Sequence, residues 1–343
     1  MRTDQLQSRI SARWDAVRKR RETGRYRVPQ HIAELLVALA APQPSDIVCD
    51  PAAGTADLLS AAADYVRENF PASLDAVEQR EHFRLRMFHG FEPDQAMLRV
   101  GRMNMRSHGV EGAKICAFDL IANELAASEA AYTLVLCGMP FAGSSDYANT
   151  ARALLKVVRT KRLELLFCTR VLQLLQAGGR AALLVPESLL AGATKPHQSL
   201  RSKLVEEQQV QAVIRLPAGA FKPYTDASAA MLIFTKTDSG GADHVWFYDL
   251  SAGDATAPDL LARWGGLSSP SPSAEFDRPR SAHSFCVAKN EIAAQGYDLS
   301  LNRYQLPPPT QFEQRRPHEI LVELAGLEAE IFQGMKDLVG MLK

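Results

Sequence analysis

The sequence predicts an α/β protein whose core is a mostly parallel sheet with helices on both faces. First, from residue 46 onward short β-rich runs alternate with helical segments, as crossover-connected parallel strands require. Second, Leu134-Val135-Leu136 and Ala182-Leu183-Leu184-Val185 are apolar throughout, as strands buried on both faces are. Third, 343 residues with 39 Lys+Arg against 39 Asp+Glu and 46% hydrophobic content are enough to bury a sizeable core. The same figures exclude a disordered, collagen-like or low-complexity chain. Apolar stretches such as 181–185 and 231–234 fall far short of the ~20 residues that cross a bilayer. The first residues, Met-Arg-Thr-Asp-Gln, lack the apolar run of a secretory signal, so the expected location is the cytoplasm. Cys49, Cys116, Cys137, Cys168 and Cys286 are scattered, without metal or disulfide spacing, and read as buried small hydrophobes.

Taken in order, residues 1–28 form a basic arm, with nine cations against three acids over 1–27, a net of +6. Leu6, Ile10, Trp14 and Val17 recur at helical spacing, so the arm reads as an amphipathic helix whose other face is either merely solvated or meets phosphates through Arg18, Lys19, Arg20 and Arg21. Residues 29–250 are the α/β domain. Strand-like runs at 46–49, 89–91, 114–117 and 134–137 alternate with helices at 55–69, 94–107 and 151–176. A strand at 181–185, a helix at 197–207 and strands at 210–216 and 230–236 continue the pattern. Residues 231–236 and 245–250, joined by a Ser-Gly-Gly turn, are expected to pair as an antiparallel edge. Residues 251–306 form a peripheral extension, its first part (251–284) rich in Ser, Pro, Ala and Gly and read as loop or peripheral packing. Pro307-Pro308-Pro309 then opens a helical tail, 307–343, whose Ile320, Leu324, Leu327, Ile331, Leu338 and Met341 make a short heptad stripe interrupted by Gly334. That stripe lies on its own domain or serves as a seam for a partner helix.

The chemistry gathers at strand ends. The first strand runs through Asp50-Pro51-Ala52-Ala53-Gly54-Thr55-Ala56 into a helix, where small residues let backbone approach a ligand beside a helix amino terminus. The second ends in Phe91-Glu92-Pro93, placing a carboxylate where it can accept from two ribose hydroxyls, and Phe118-Asp119-Leu120 follows the third. Each acid alone fits a helix cap, since Asp50 and Asp119 stand where caps are common. Three acceptors at three successive strand ends instead point to a nucleoside pocket.

These strings resemble the modification subunits of type I restriction-modification systems, which are S-adenosylmethionine-dependent adenine-N6 DNA methyltransferases. The resemblance rests on Asp-Pro-Ala-Ala-Gly-Thr, on Gly-Phe-Glu-Pro-Asp-Gln with Met103-Asn104-Met105-Arg106-Ser107-His108-Gly109, and on Phe118-Asp119-Leu120. It extends through Gly178-Gly179-Arg180-Ala181-Ala182, Val185-Pro186-Glu187, residues 216–224 and residues 296–304, covering about 24–305. It implies a Rossmann-like, doubly wound sheet of the S-adenosylmethionine-dependent methyltransferase type, with a short basic N-terminal helix and a C-terminal helix. It also implies that Asp50, Pro51, Gly54 and Thr55 line the methionine side of S-adenosylmethionine, that Glu92 holds the ribose hydroxyls and that Asp119 faces the adenine ring.

The sequence departs from the family's pattern at several places. Ala56 stands where a second glycine is usual, and Arg27-Val28-Pro29 where a Tyr-Thr-Pro or Phe-Thr-Pro entry is usual. The family's catalytic Asn-Pro-Pro-Phe reads Gly138-Met139-Pro140-Phe141 here. In adenine methylation the Asn side chain and a backbone carbonyl accept the hydrogens of the exocyclic amine while the aromatic ring stacks on the flipped base. Gly138 has no side chain to accept with, and Asn149 is the one local substitute the sequence offers. The family's long helical domain ahead of the cofactor motif is represented here by the basic arm, so duplex DNA is expected to be engaged through partners. Two readings follow. One is a catalytically impaired or inactive methyltransferase-like subunit acting with a specificity-type subunit and an active modification subunit, its C-terminal helix a protein contact. The other is an active adenine-N6 DNA methyltransferase acting on a flipped adenine in duplex DNA.

Overall fold

In the computed structural model the elements run, in chain order, α1 (Gln30–Ala40), β1 (Val48–Asp50), α2 (Asp57–Asn69), α3 (Val77–Leu85), β2 (Phe88–Phe91), α4 (Gln95–Ser107), β3 (Lys114–Cys116) and β4 (Tyr132–Gly138). Then come α5 (Arg152–Val157), α6 (Leu163–Leu174), β5 (Leu175–Pro186), α7 (Glu187–Ala191), α8 (Lys195–Glu207), β6 (Gln209–Arg215), β7 (Ala229–Thr235), β8 (His244–Asp249), α9 (Ala257–Trp264), β9 (Ser284–Ala288) and α10 (Lys289–Ala294). The described residues are 27–125, 131–253, 255–265, 275, 278–280 and 283–306, with single positions at 328, 331 and 335. They form one unit up to Gln305, and a second unit begins at Leu306. The basic arm, with Arg18, Lys19, Arg20 and Arg21, and nearly all of the heptad tail lie outside the described residues. Among the described residues no helix is long and apolar enough to cross a membrane.

The strands join one sheet in the order β3-β2-β1-β4-β5-β7-β6-β8-β9. The run from β3 to β5 is parallel, β7 lies antiparallel between β5 and β6, β8 is parallel to β6, and β9 closes the edge antiparallel. From β1 the chain works outward to β3 and then returns to the other side of β1 as β4. That reversal opens a crevice at the carboxyl ends of β1 and β4, where open α/β sheets take ligands. Side chains alternate between two buried layers. Leu134, Leu136, Ala182 and Leu184 pack with α1 and α2, while Val135, Cys137, Leu183 and Val185 pack with α6 and α8. Both sides of β4 and β5 are therefore dry, which is why these runs are apolar at every position.

Four sequence expectations are corrected. Residues 231–236 do not make an edge with 245–250: β7 is buried along nearly its whole length and inserts between β5 and β6, leaving β8 to pair with β6. An all-apolar strand has no wet face and belongs inside a sheet. The helix expected over 151–176 is two helices, because residues 161–163 pair instead with the loop after β4: the Ser145 N–H donates to Lys161 O (2.8 Å) and the Leu163 N–H to Gly143 O (3.3 Å). The Ser- and Pro-rich stretch 251–284 contains α9, whose Trp264 stacks on Trp246 at 5.6 Å and donates its indole N–H to Leu39 O. Cys116 is exposed, at the end of the outermost strand, while the other four cysteines are buried.

Candidate functional site

β1 delivers Asp50 to the floor of the crevice. Its side chain is 2% exposed and accepts from the Ala52 N–H at 2.9 Å. Burial pushes the carboxyl up to about 7, against the Ala52 hydrogen bond and with the help of the Glu92 and Asp57 charges. The loop then turns through two left-handed residues, Gly54 (φ 52) and Ala56 (φ 62). Gly54 takes that backbone freely, whereas Ala56 holds it at a steric cost. A Cβ on Gly54 would meet only Ala52 O at 3.8 Å, so the space over this peptide is open. Behind it, the absence of a Cβ on Gly101 lets α4 pass the loop, since one would meet Gly54 O at 3.1 Å. Asn104 of α4 donates to Thr55 O at 3.1 Å, and the Thr55 hydroxyl donates to Asp57 at 2.8 Å. Arg27 reaches the same Asp57 at 3.4 Å and so ties the entry segment to the loop.

Glu92 lies just past β2, 4% exposed. One oxygen accepts the Gly54 N–H (3.2 Å) and the other the Asp94 N–H (2.8 Å), while Asp94 caps α4 through the Ala96 and Met97 amides. The carboxylate thus clasps the β1 loop to the β2 exit. Asp119, at the exit of β3, is exposed and accepts the Ile121 and Ala122 N–H groups at 2.9 and 3.1 Å. Buried Arg170 holds this exit by donating to Leu120 O and Asn123 O, both at 2.8 Å. Phe91 and Phe118 bridge the two exits, ring centroids 6.0 Å apart. Asp50, Pro51, Gly54, Thr55 and Glu92 therefore form one connected cradle, with Asp119 on the neighbouring strand end.

β4 ends at Gly138, in register with Leu184 of β5, and the Met139 N–H continues the ladder by donating to Leu184 O at 3.1 Å. Met139 is fully buried and Pro140 is buried beside it. Phe141 turns to the other layer, 8% exposed, and packs edge-on against Phe221 at 5.0 Å and 85°. Asn149 is exposed on the following loop, its N–H donated to Asp146 O at 2.9 Å. A separate groove of about 850 Å³ lies between α1, α2 and residues 222–224, lined by Arg27, Asp57, Asp64 and Tyr224 but by neither Glu92 nor Asp119. Sequence reasoning assigned no role to the supports of the site: Gly101 and Arg170 were not singled out, and Asn104 and Phe221 entered only within strings that carry the family resemblance. A glycine in the middle of a helix is the one signal among them that pointed to a close approach.

Comparison with known proteins places this geometry. The N-6 DNA Methylase family matches residues 13–312. The methylase subunit of the type I restriction enzyme EcoEI from Escherichia coli is 24% identical over 335 residues, 92% of this chain and 65% of that protein. The EcoKI methylase subunit from Escherichia coli strain K12 is 30% identical over 240 residues, 66% of this chain and 44% of that protein. The chain thus spans about two thirds and under half of these curated relatives. The solved EcoKI M protein overlays with a TM-score of 0.67 at 22% identity, covering 92% of this chain and 73% of that one, which speaks for the fold alone. S-adenosylmethionine is the cofactor that the family match implies. The open peptide at Gly54, with a buried carboxylate on either side, fits a nucleoside-bearing sulfonium. By a match that takes in 13–312 of its 343 residues, the chain belongs to the N-6 DNA Methylase family.

Proposed function

We propose that this chain is a modification-type subunit that binds S-adenosylmethionine in the cradle formed by residues 50–55 and Glu92 but is impaired in methyl transfer. It acts on duplex DNA beside partner subunits, a specificity-type subunit and an active modification subunit. The observation that carries the reading is Gly138: the strand end that should present an amide to the adenine amine presents none. Bound S-adenosylmethionine supplies an electrophilic methyl group on a sulfonium. Gly54 offers that ligand bare backbone, Glu92 accepts from the ribose hydroxyls, and Asp119 borders the adenine ring. Asp50, buried and raised to about 7, is shared between protonated and ionised forms near neutral pH. Removing one positioned polar group at a reacting centre costs about 100- to 1,000-fold in rate. Phe141 adds to the impairment, since its ring is 8% exposed and has little free face for a flipped base.

Family membership favours the competing reading, an active adenine-N6 methyltransferase, and one experiment separates the two. The chain is incubated with DNA and methyl-labelled S-adenosylmethionine, with and without a specificity-type subunit. The expected result is no label in adenine above background; label accumulating at many turnovers overturns the impaired reading. Calorimetry tests the shared premise: no heat of binding at millimolar S-adenosylmethionine removes the cofactor site.

A further inference from the structure

Residues 144–162, which follow Phe141, carry Arg152, Lys156, Arg159, Lys161 and Arg162 against the single acid Asp146. That is a net of +4 in a chain of formal net charge zero, and all five cations are exposed. Tyr147, 43% exposed, gathers two of them: the Arg159 guanidinium lies 5.8 Å and the Lys161 ammonium 5.3 Å from its ring centroid. Asp146 takes up part of the Lys161 charge at 3.0 Å, and Glu164 meets Arg162 at 3.4 Å. The segment is strapped to the crevice rather than hung from it. Its ends are joined through Ser145 and Lys161, and its middle is bonded to the β3 exit by the Ala151 N–H to Ile121 O (2.8 Å) and the Arg152 N–H to the Glu124 carboxylate (2.5 Å).

We propose that this rim is a nucleic-acid contact surface. Arg159 and Lys161, arranged about Tyr147, take backbone phosphates of a DNA strand passing over the Gly138–Phe141 strand end, and Arg152 and Lys156 extend the track. The assignment rests on the DNA-acting reading above and adds the residues by which this chain itself grips the strand. A run of charge by itself is commonly just a solvated face. Here the cations are gathered at an exposed aromatic and held by backbone bonds at one end of the sheet, so they can meet phosphates of one strand together.

The test is fluorescence anisotropy of a labelled duplex across about 50–200 mM salt, where each phosphate contact contributes about 0.9 to the slope of log affinity against log salt. Arg159→Ala with Lys161→Ala should lower that slope by about two and weaken low-salt binding by at least tenfold. Tyr147→Ala should cost about 2- to 5-fold, with Tyr147→Phe near wild type. Arg86→Ala with Lys114→Ala removes the same charge beside the amino ends of β2 and β3, at the other end of the strands from the crevice, and should leave the slope unchanged. The proposal is overturned if the Arg159/Lys161 variant keeps the wild-type slope, if the control loses as much, or if the wild-type chain, assayed both alone and with a specificity-type subunit, binds no DNA at low salt. Cofactor calorimetry on the same samples keeps the two ideas apart: bound S-adenosylmethionine without DNA capture sinks only the surface, and DNA capture without cofactor sinks only the cradle.

Discussion

The loops that follow β1 and β4 leave adjacent parallel strands at the same edge of the sheet, and each carries a residue change relative to the family's pattern. Their responses differ. In the β1 loop Ala56 replaces a glycine, yet the backbone still takes the left-handed turn (φ 62), and the Gly54 amide still reaches Glu92. In the β4 loop the chain path also persists, with Met139, Pro140 and Phe141 buried, but Gly138 contributes no side-chain acceptor. On the proposed reading, a function built from main-chain amides survives a side-chain change as long as the fold pays for the conformation. On the same reading, a function built from one side-chain amide does not.

The largest effect expected from this contrast is on methyl transfer. Gly138 lies in extended strand backbone, so an asparagine there needs no special conformation. Gly138→Asn should raise label transfer to adenine by about 100- to 1,000-fold over the wild-type chain. The second reversion is less clean, since Met139→Pro removes the Met139 N–H donated to Leu184 O along with a fully buried side chain. A Gly138→Asn protein that binds cofactor and DNA yet transfers no more methyl than wild type would break the contrast.

Asp50 gives the next largest effect. Its folded pKa, about 7, lies above its ordinary value of 3.8, so between those values the folded state holds a proton that the unfolded state has released. Stability therefore falls as pH rises from about 4 to about 7, by at most roughly 4 kcal/mol from this group. Asp50→Asn keeps an oxygen for the Ala52 N–H and cannot ionise. Urea melts should show its stability gap over wild type widening from pH 5 to pH 8, and a constant gap would mean that Asp50 is charged throughout.

What the sequence made legible follows from locality. The cradle was readable because a turn, a cap and a strand end are each written within a few residues, as in 50–56 and 91–94. The place of β7 was not, since hydropathy shows a strand to be buried without naming its neighbours, and the β6–β8 pairing is long-range. The break at 158–162 was hidden because it depends on residues 143–145 competing for the same backbone. Trp264 sat in a stretch whose composition suggested loop, and its partners, Trp246 and Leu39, are remote in sequence. The vacancy at Gly138 was plain in the sequence, whereas Phe221, which half explains why Phe141 is hidden, needed the fold.

Glu92 tests the cradle itself. Removing its carboxylate orphans the Gly54 and Asp94 amides, each partly buried, at a cost of about 1–3 kcal/mol for each group left dry. Glu92→Ala should lower the melting temperature and abolish S-adenosylmethionine binding in calorimetry. Glu92→Gln, whose single carbonyl oxygen can accept from only one of the two amides, should recover part of the stability but not the affinity. Full affinity in either variant would mean that the ribose hydroxyls are held elsewhere.

The two left-handed residues provide the smallest and sharpest comparison. Gly54→Ala introduces a left-handed alanine worth about 1–2 kcal/mol of strain, and its Cβ enters the open space over the peptide, so both stability and cofactor affinity should fall. Ala56→Gly is a balance: relief of about 1–2 kcal/mol of strain opposes the loss of a fully buried methyl, about 0.8 kcal/mol, and a backbone-entropy cost of about 0.5–1 kcal/mol. These terms cancel to within about 1 kcal/mol, so the melting temperature should barely move. Any gain in cofactor affinity then reports the shape of the loop rather than its stability. Ala56→Gly with a markedly higher melting temperature would show that the fold holds this turn at a larger cost than its packing suggests.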